Sequence, residues 1–145
     1  MTQNKNYING KWIASIKAIE NVNPSDLNDI IGEYAEAEPA QVQEAFEAAT
    51  TAASSWSHSS IQLRFDCLDA IGSEILARKE ELGRLLAREE GKILPEAIGE
   101  VVRAGQIFKF YAGECLRLEG DLLPSVRPGV DVEVTKNPLG VVGII

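Results

Sequence analysis

Gly140-Val141-Val142-Gly143-Ile144-Ile145 is apolar at every position and β-branched wherever it is not glycine. That is the pattern of a strand covered on both faces, as in a parallel sheet, and it sets the fold class as α/β. Such a strand needs hydrogen-bonded neighbours, which these 145 residues do not supply for it. The chain alone is therefore expected to be marginal, prone to associate, or partly disordered after about Gly120. Just upstream, Asp131-Val132-Glu133-Val134-Thr135 alternates with period two, as a half-exposed strand does. Pro124, Pro128 and Gly129 punctuate the approach to it.

Before Gly120 the periodicity is helical. Pro39 suits a first helical position, and Val42, Phe46 and Ala49 recur at helical spacing as far as Trp56. Ser59 or Ser60 caps a longer helix whose stripe is Leu68, Ile71, Ile75, Leu82 and Leu85, closing at Gly91 in a left-handed conformation. Its outer face carries Glu74 with Arg78 and Glu80 with Arg84, each four residues apart. Pro95 opens a third helix with Ile98, Val101, Phe108 and Ala112 on one side, running to about Cys115 or Leu116. The three helices are expected to pack as a layer.

At the N-terminus, Asn9-Gly10 lies between Tyr7-Ile8 and Lys11-Trp12-Ile13, which marks a hairpin with a type I′ turn. Asn23-Pro24-Ser25-Asp26 is a turn cluster, and Ile30-Ile31-Gly32-Glu33-Tyr34 resumes extended patterning, so a second ribbon is expected there.

The composition is that of a folded protein, with 45% hydrophobic and 25% charged residues. Its 22 acids against 14 scattered bases give a net charge of −8, which repels phosphate backbones and argues against a nucleic-acid partner. No apolar run approaches the ~20 residues of a membrane helix, and MTQNKNYING lacks the features of a signal peptide. Cys67 and Cys115 form no metal-ligand spacing, so a reducing, cytoplasmic setting with two free thiols is expected. Both sit in helical apolar patterns without a nearby histidine and read as packing thiols, not nucleophiles. His58 falls in the polar run Ser57-His58-Ser59-Ser60 between helices and reads as a loop residue, not a base. Lys92 follows a lone Gly91 without a glycine-rich loop, so Glu90-Gly91-Lys92 reads as a helix end, not a phosphate site.

Four segments in order, Tyr7-Ile8-Asn9-Gly10-Lys11-Trp12, Asn23-Pro24-Ser25, Glu90-Gly91-Lys92 with Glu100-Val101, and Asn137-Pro138-Leu139-Gly140-Val141-Val142, resemble the NAD(P)-dependent aldehyde dehydrogenase superfamily. The resemblance runs from Tyr7 to Ile145, and its wording is nearest to semialdehyde-oxidising members such as ketoglutaric semialdehyde dehydrogenases. It implies the N-terminal part of an aldehyde dehydrogenase-like α/β fold. The expected pieces are short β-ribbons, a three-helix layer, an oligomerisation-type strand pair and the first strand of a Rossmann-like sheet. Residues 1–145 would be a partial cofactor-binding domain, with about 117–136 resembling part of the oligomerisation strands and the catalytic domain absent.

In the family, the strand resembling Gly140 to Ile145 leads into a cofactor-binding motif, and Ile144 and Ile145 are the candidate cofactor-facing positions, for NAD or NADP. Equally, their side chains read as plain core strand. Glu100 matches a position where an acid joins backbone carbonyls near Asn21 and Val22 around a monovalent cation; the competing reading is a solvated helix glutamate. Family chemistry is attack of a cysteine thiolate on an aldehyde, hydride transfer to nicotinamide, and hydrolysis of the thioester by Glu-activated water. None of those groups is assignable here, so the resemblance implies a truncated enzyme, inactive alone, with aldehyde as substrate by family only. A non-catalytic protein that associates with full-length subunits, or with its own copies through Val132 and Val134, is the alternative. An unrelated acidic helical binding module ranks last, because it leaves the buried-type final strand unexplained.

Overall fold

A computed structural model describes residues 3–144. Three antiparallel ribbons flank a run of four helices. In the first, β1 (Asn6–Ile8) pairs with β2 (Lys11–Ile13). Asn9 and Gly10 both take positive φ, 49° and 76°, as the expected type I′ turn demands. In the second ribbon, β3 (Ala18–Val22) pairs with β4 (Ile30–Ala35), with an irregularity in register between Asn21 and Val22. Asn4 bridges to Tyr34 at the edge of that ribbon.

α1 (Pro39–Ser57) begins at Pro39, as the sequence indicates. Gln41 ties its first turn to the N-terminal ribbon: its amide donates to the Ala14 carbonyl at 2.9 Å, and its Oε1 accepts from Asn6 at 3.4 Å. The stripe expected to face inward instead faces outward, for Val42, Phe46 and Trp56 are all exposed. The side toward the protein is formed by smaller residues, because the hairpin around Tyr7 to Gly10 lies close over Ala45 and Ala48.

The long second helix of the sequence reading is two helices, α2 (Ile61–Ala77) and α3 (Lys79–Glu90), divided at Arg78. Arg78 leaves the helical region with φ −100° and ψ 18°, a conformation of the sparsely allowed bridge region. The packing explains the break. Both helices lie on α4 (Leu94–Cys115), and each touches it through a glycine. A Cβ on Gly72 of α2 would sit 2.9 Å from the Gly105 carbonyl oxygen, and one on Gly83 of α3 would sit 3.0 Å from Ile98 Cα. At ~1.5 Å of rise per residue, Gly72 and Gly83 are farther apart along a straight helix than Gly105 and Ile98 are along α4. The bend at Arg78 lets both contacts form. The expected stripe changes accordingly: Ile71 and Leu85 point outward, and Gly72 and Gly83 are the buried positions.

α4 is the centre of the chain. Val101, Gly105 and Ala112 are buried along one side, with Ile98 before them and Phe108 between them half-buried, which is the stripe read from the sequence with a glycine added. Ala97 and Ala112 are fully buried, but among the described residues no large side chain is. The expected three-helix layer is thus α2, α3 and α4, with α1 leaning on β1 instead.

After α4, β5 (Asp121–Pro124) and β6 (Asp131–Val134) form the third ribbon, and every residue in both strands is exposed. The half-exposed strand expected at Asp131 to Thr135 forms as Asp131–Val134, with Val132 43% and Val134 47% exposed. Gly140 to Ile144 carry no strand pairing, and Ile144 is 92% exposed. A parallel strand exists only through its ladder, and among the described residues no segment pairs with this stretch. The α/β class stands, as four helices with short strand pairs.

Candidate functional site

The densest polar cluster lies where the C-terminus of α3 meets the turn between β3 and β4. Asn23, Pro24 and Ser25 fold that turn locally: Asn23 Oδ1 accepts from the Ser25 N–H at 2.9 Å, an Asx turn. Asp29 then receives two hydrogen bonds from Arg88, Nε to Oδ2 at 2.8 Å and Nη2 to Oδ1 at 2.6 Å, and a third from Asn23 Nδ2 at 3.1 Å. The Arg88 guanidinium, helped by Asn23, holds the Asp29 carboxyl at about 2, against an ordinary 3.8.

Next along α3, Glu89 Oε1 accepts from Asn21 Nδ2 at 2.7 Å. Gly91 ends the helix in the left-handed region, φ 68°, as the sequence indicates. It does so against the turn: a Cβ there would lie 2.6 Å from Ser25 Oγ and 2.8 Å from Pro24 Cγ, and Ser25 Oγ donates to the Gly91 carbonyl at 2.9 Å. Lys92, only 20% exposed, then places its ammonium between Glu90 and Glu100, with Glu100 Oε1 at 2.6 Å. Glu100 first, then Glu90, pushes the Lys92 ammonium above its ordinary value.

The residues singled out from sequence are distributed as follows. Asn21 and Val22 lie at the end of β3, astride its irregular step. Glu100 faces Lys92, while the carboxylate beside Asn21 is that of Glu89, which sequence reading passed over. Ile144 stands exposed, and Ile145 lies outside the described residues. Cys67 is exposed, so it is not the packing thiol expected; Cys115 is half-buried. His58 hydrogen-bonds through Nδ1 with the Ser54 carbonyl at 2.8 Å, closing the end of α1, and has no thiol beside it. Among the described residues no three His, Cys, Asp or Glu side chains converge as a metal cluster, and no helix is long and apolar enough to cross a membrane.

The Ser57 hydroxyl lies 3.1 Å from His58 Nδ1, and both thiols, Cys67 and Cys115, are free. Residues 12–145 match the model of the aldehyde dehydrogenase family. The chain belongs to the aldehyde dehydrogenase family. It is 37% identical over 142 residues to the alpha-ketoglutaric semialdehyde dehydrogenase of Bacillus subtilis, covering 97% of this chain and 29% of that protein. It is 39% identical over 141 residues to malonate-semialdehyde dehydrogenase 1 of Shouchella clausii, covering 96% of this chain and 28% of that one. A betaine aldehyde dehydrogenase of Staphylococcus aureus, solved in complex with NAD+, superposes with a TM-score of 0.86 at 26% identity, over 92% of this chain and 27% of that one. The chain thus spans under a third of the length of the aldehyde dehydrogenases it matches.

Proposed function

We propose that these 145 residues are a scaffold portion of an aldehyde dehydrogenase that oxidises aldehydes, semialdehydes in particular, to carboxylic acids with NAD or NADP. The carrying observation is the family match over nearly the whole chain together with the absence, among the described residues, of a thiol paired with a base. The semialdehyde class is supported by the names of relatives that align over nearly all of it. The nicotinamide, when bound, supplies the hydride acceptor; the described residues set the framework around it. α4 carries α2 and α3, and the Asp29–Arg88 and Ser25–Gly91 contacts fix the second ribbon against them. Val141 to Ile144 are offered as the start of the cofactor-binding sheet, with Ile144 and Ile145 as its cofactor-facing backbone.

The monovalent-cation reading is kept. The carbonyls of Asn21 and Val22 with the carboxylate of Glu100 are the proposed oxygen donors; Glu100 here pairs with Lys92, and Glu89, which accepts from the Asn21 side-chain amide, is the alternative carboxylate. The role of the cation is to hold the end of β3 onto α4.

Purified chain, incubated with NAD+ or NADP+ and a panel of semialdehydes, is expected to form no NAD(P)H. Turnover that disappears in the Cys67→Ser or Cys115→Ser variant would overturn the scaffold reading.

A second reading is favoured by the exposed β5–β6 ribbon. Residues of about 117–136 carry Leu122, Leu123, Val132 and Val134 uncovered on a two-stranded sheet with both edges open. Such a ribbon suits association with further copies or with longer subunits of the family through strand pairing. Co-purification with a full-length relative supports this; its absence at micromolar concentration counts against it.

A further inference from the structure

A cleft of about 270 Å³ opens between the end of α1, the start of α2 and the segment after β6. Its walls include Trp56, Arg64, Leu118, Lys136 and Pro138. No Asp or Glu lines it, although the chain as a whole carries a net charge of −8. Neither Arg64 nor Lys136 has a carboxylate partner among the described residues.

Arg64 is held in place without being neutralised. Its Nε donates to Ser59 Oγ at 3.0 Å, and its Nη2 donates to the carbonyls of Ser59 at 2.7 Å and Ser57 at 3.3 Å. These bonds fix the plane of the guanidinium and leave Nη1 without a protein acceptor among the described residues. Every other paired arginine of the chain spends its charge on a carboxylate, as Arg88 does on Asp29. Lys136 adds a second, exposed cation, and Trp56 offers a half-exposed indole face. Ser57 and Asn137 are the other polar residues of a mostly apolar lining, and the volume lies just below the usual range for ligand sites.

We propose that this cleft binds a small planar organic anion of the aromatic carboxylate class, its ring against Trp56 and its charge toward Arg64 and Lys136. An indole favours a flat partner, and a fixed guanidinium favours a carboxylate over a neutral group. The inference stands apart from aldehyde oxidation and needs none of its machinery.

The test is a titration of the isotopically labelled chain with benzoate, and separately with neutral benzyl alcohol, at constant ionic strength. The indole N–H signals of Trp56 and Trp12 are followed, Trp12, on β2 and outside the lining of the cleft, serving as a reference. Benzoate is expected to shift Trp56 saturably and to leave Trp12 in place, with an affinity at least about tenfold above that of benzyl alcohol, a difference of about 1.4 kcal/mol. Lys136→Gln, a side chain that makes no hydrogen bond or ion pair here, is expected to weaken benzoate several-fold and leave benzyl alcohol unchanged. Equal response to both probes, shifts spread over both indoles, or an unaltered benzoate affinity in Lys136→Gln would overturn the proposal.

Discussion

Arg88 and Asp29 face each other through two parallel hydrogen bonds, 2.8 and 2.6 Å, joining the last turn of α3 to the turn between β3 and β4. The contact closes a long loop of chain, and its geometry is the bidentate one that distinguishes arginine from lysine. The carboxyl is held at about 2 in the folded chain against an ordinary 3.8, so its contribution is present above 3.8 and is lost as pH falls through about 2. The stability gap between the native chain and Asp29→Asn, measured by urea denaturation, should be constant from neutrality down to about pH 5. It should then shrink and close at strong acid. A gap that widens on acidification would contradict the assignment.

The two glycines at the α2–α4 crossing give a second prediction. Gly72→Ala places a Cβ 2.9 Å from the Gly105 carbonyl oxygen, a backbone atom that cannot swing aside. Overpacking of this kind costs about 1–3 kcal/mol. Gly99 is also within α4, yet nothing lies within 4 Å of its added Cβ. Gly99→Ala should stabilise by about 0.5–1 kcal/mol through helix propensity alone. The opposite signs are read from urea midpoints of the two variants.

How much of this was legible beforehand differs by element. The Asn9-Gly10 turn and the Gly91 stop were, because each needs a backbone conformation that few residues tolerate. The stripe of α4 was, because that helix is covered along its length by two others. The break at Arg78 was not. No proline or glycine marks it, and its cause is the spacing of two contacts on a different helix. The outward face of α1 misled for a related reason: periodicity reports which residues suit burial, while Val42, Phe46 and Trp56 have no covering partner here. In the polar cluster, the family-like order of Glu90, Gly91, Lys92 and Glu100 marks the helix end in the sequence. Pairing of Glu89 with Asn21, and of Lys92 with Glu100, depends on how a distant ribbon docks, and no local pattern carries that.

That pairing leads to a third prediction. If Asn21, Val22 and Glu100 hold a monovalent cation, exchange of potassium for choline at fixed ionic strength should lower the melting temperature of the native chain. Glu100→Gln should abolish the dependence, and Glu89→Gln should retain it. Dependence lost in Glu89→Gln and kept in Glu100→Gln would move the site to Glu89.

Helix initiation gives a fourth. Ser60 Oγ accepts from the Leu63 N–H at 3.1 Å and caps α2. Ser60→Ala should cost about 1 kcal/mol, whereas Ser60→Asp should restore most of it, because either oxygen satisfies the same free N–H. Thermal unfolding of both variants checks this; equal loss in the two would show that the cap contributes little.

If this chain is an aldehyde dehydrogenase scaffold whose chemistry resides in other residues of the family, it should work when grafted into a relative. The measurement is NAD(P)H formation by a chimera in which residues 3–144 replace the matching stretch of the Bacillus subtilis relative. The chimera is expected to oxidise alpha-ketoglutaric semialdehyde, and the 145-residue chain alone is not. A chimera that is folded and assembled like the relative yet forms no NAD(P)H would contradict the scaffold reading.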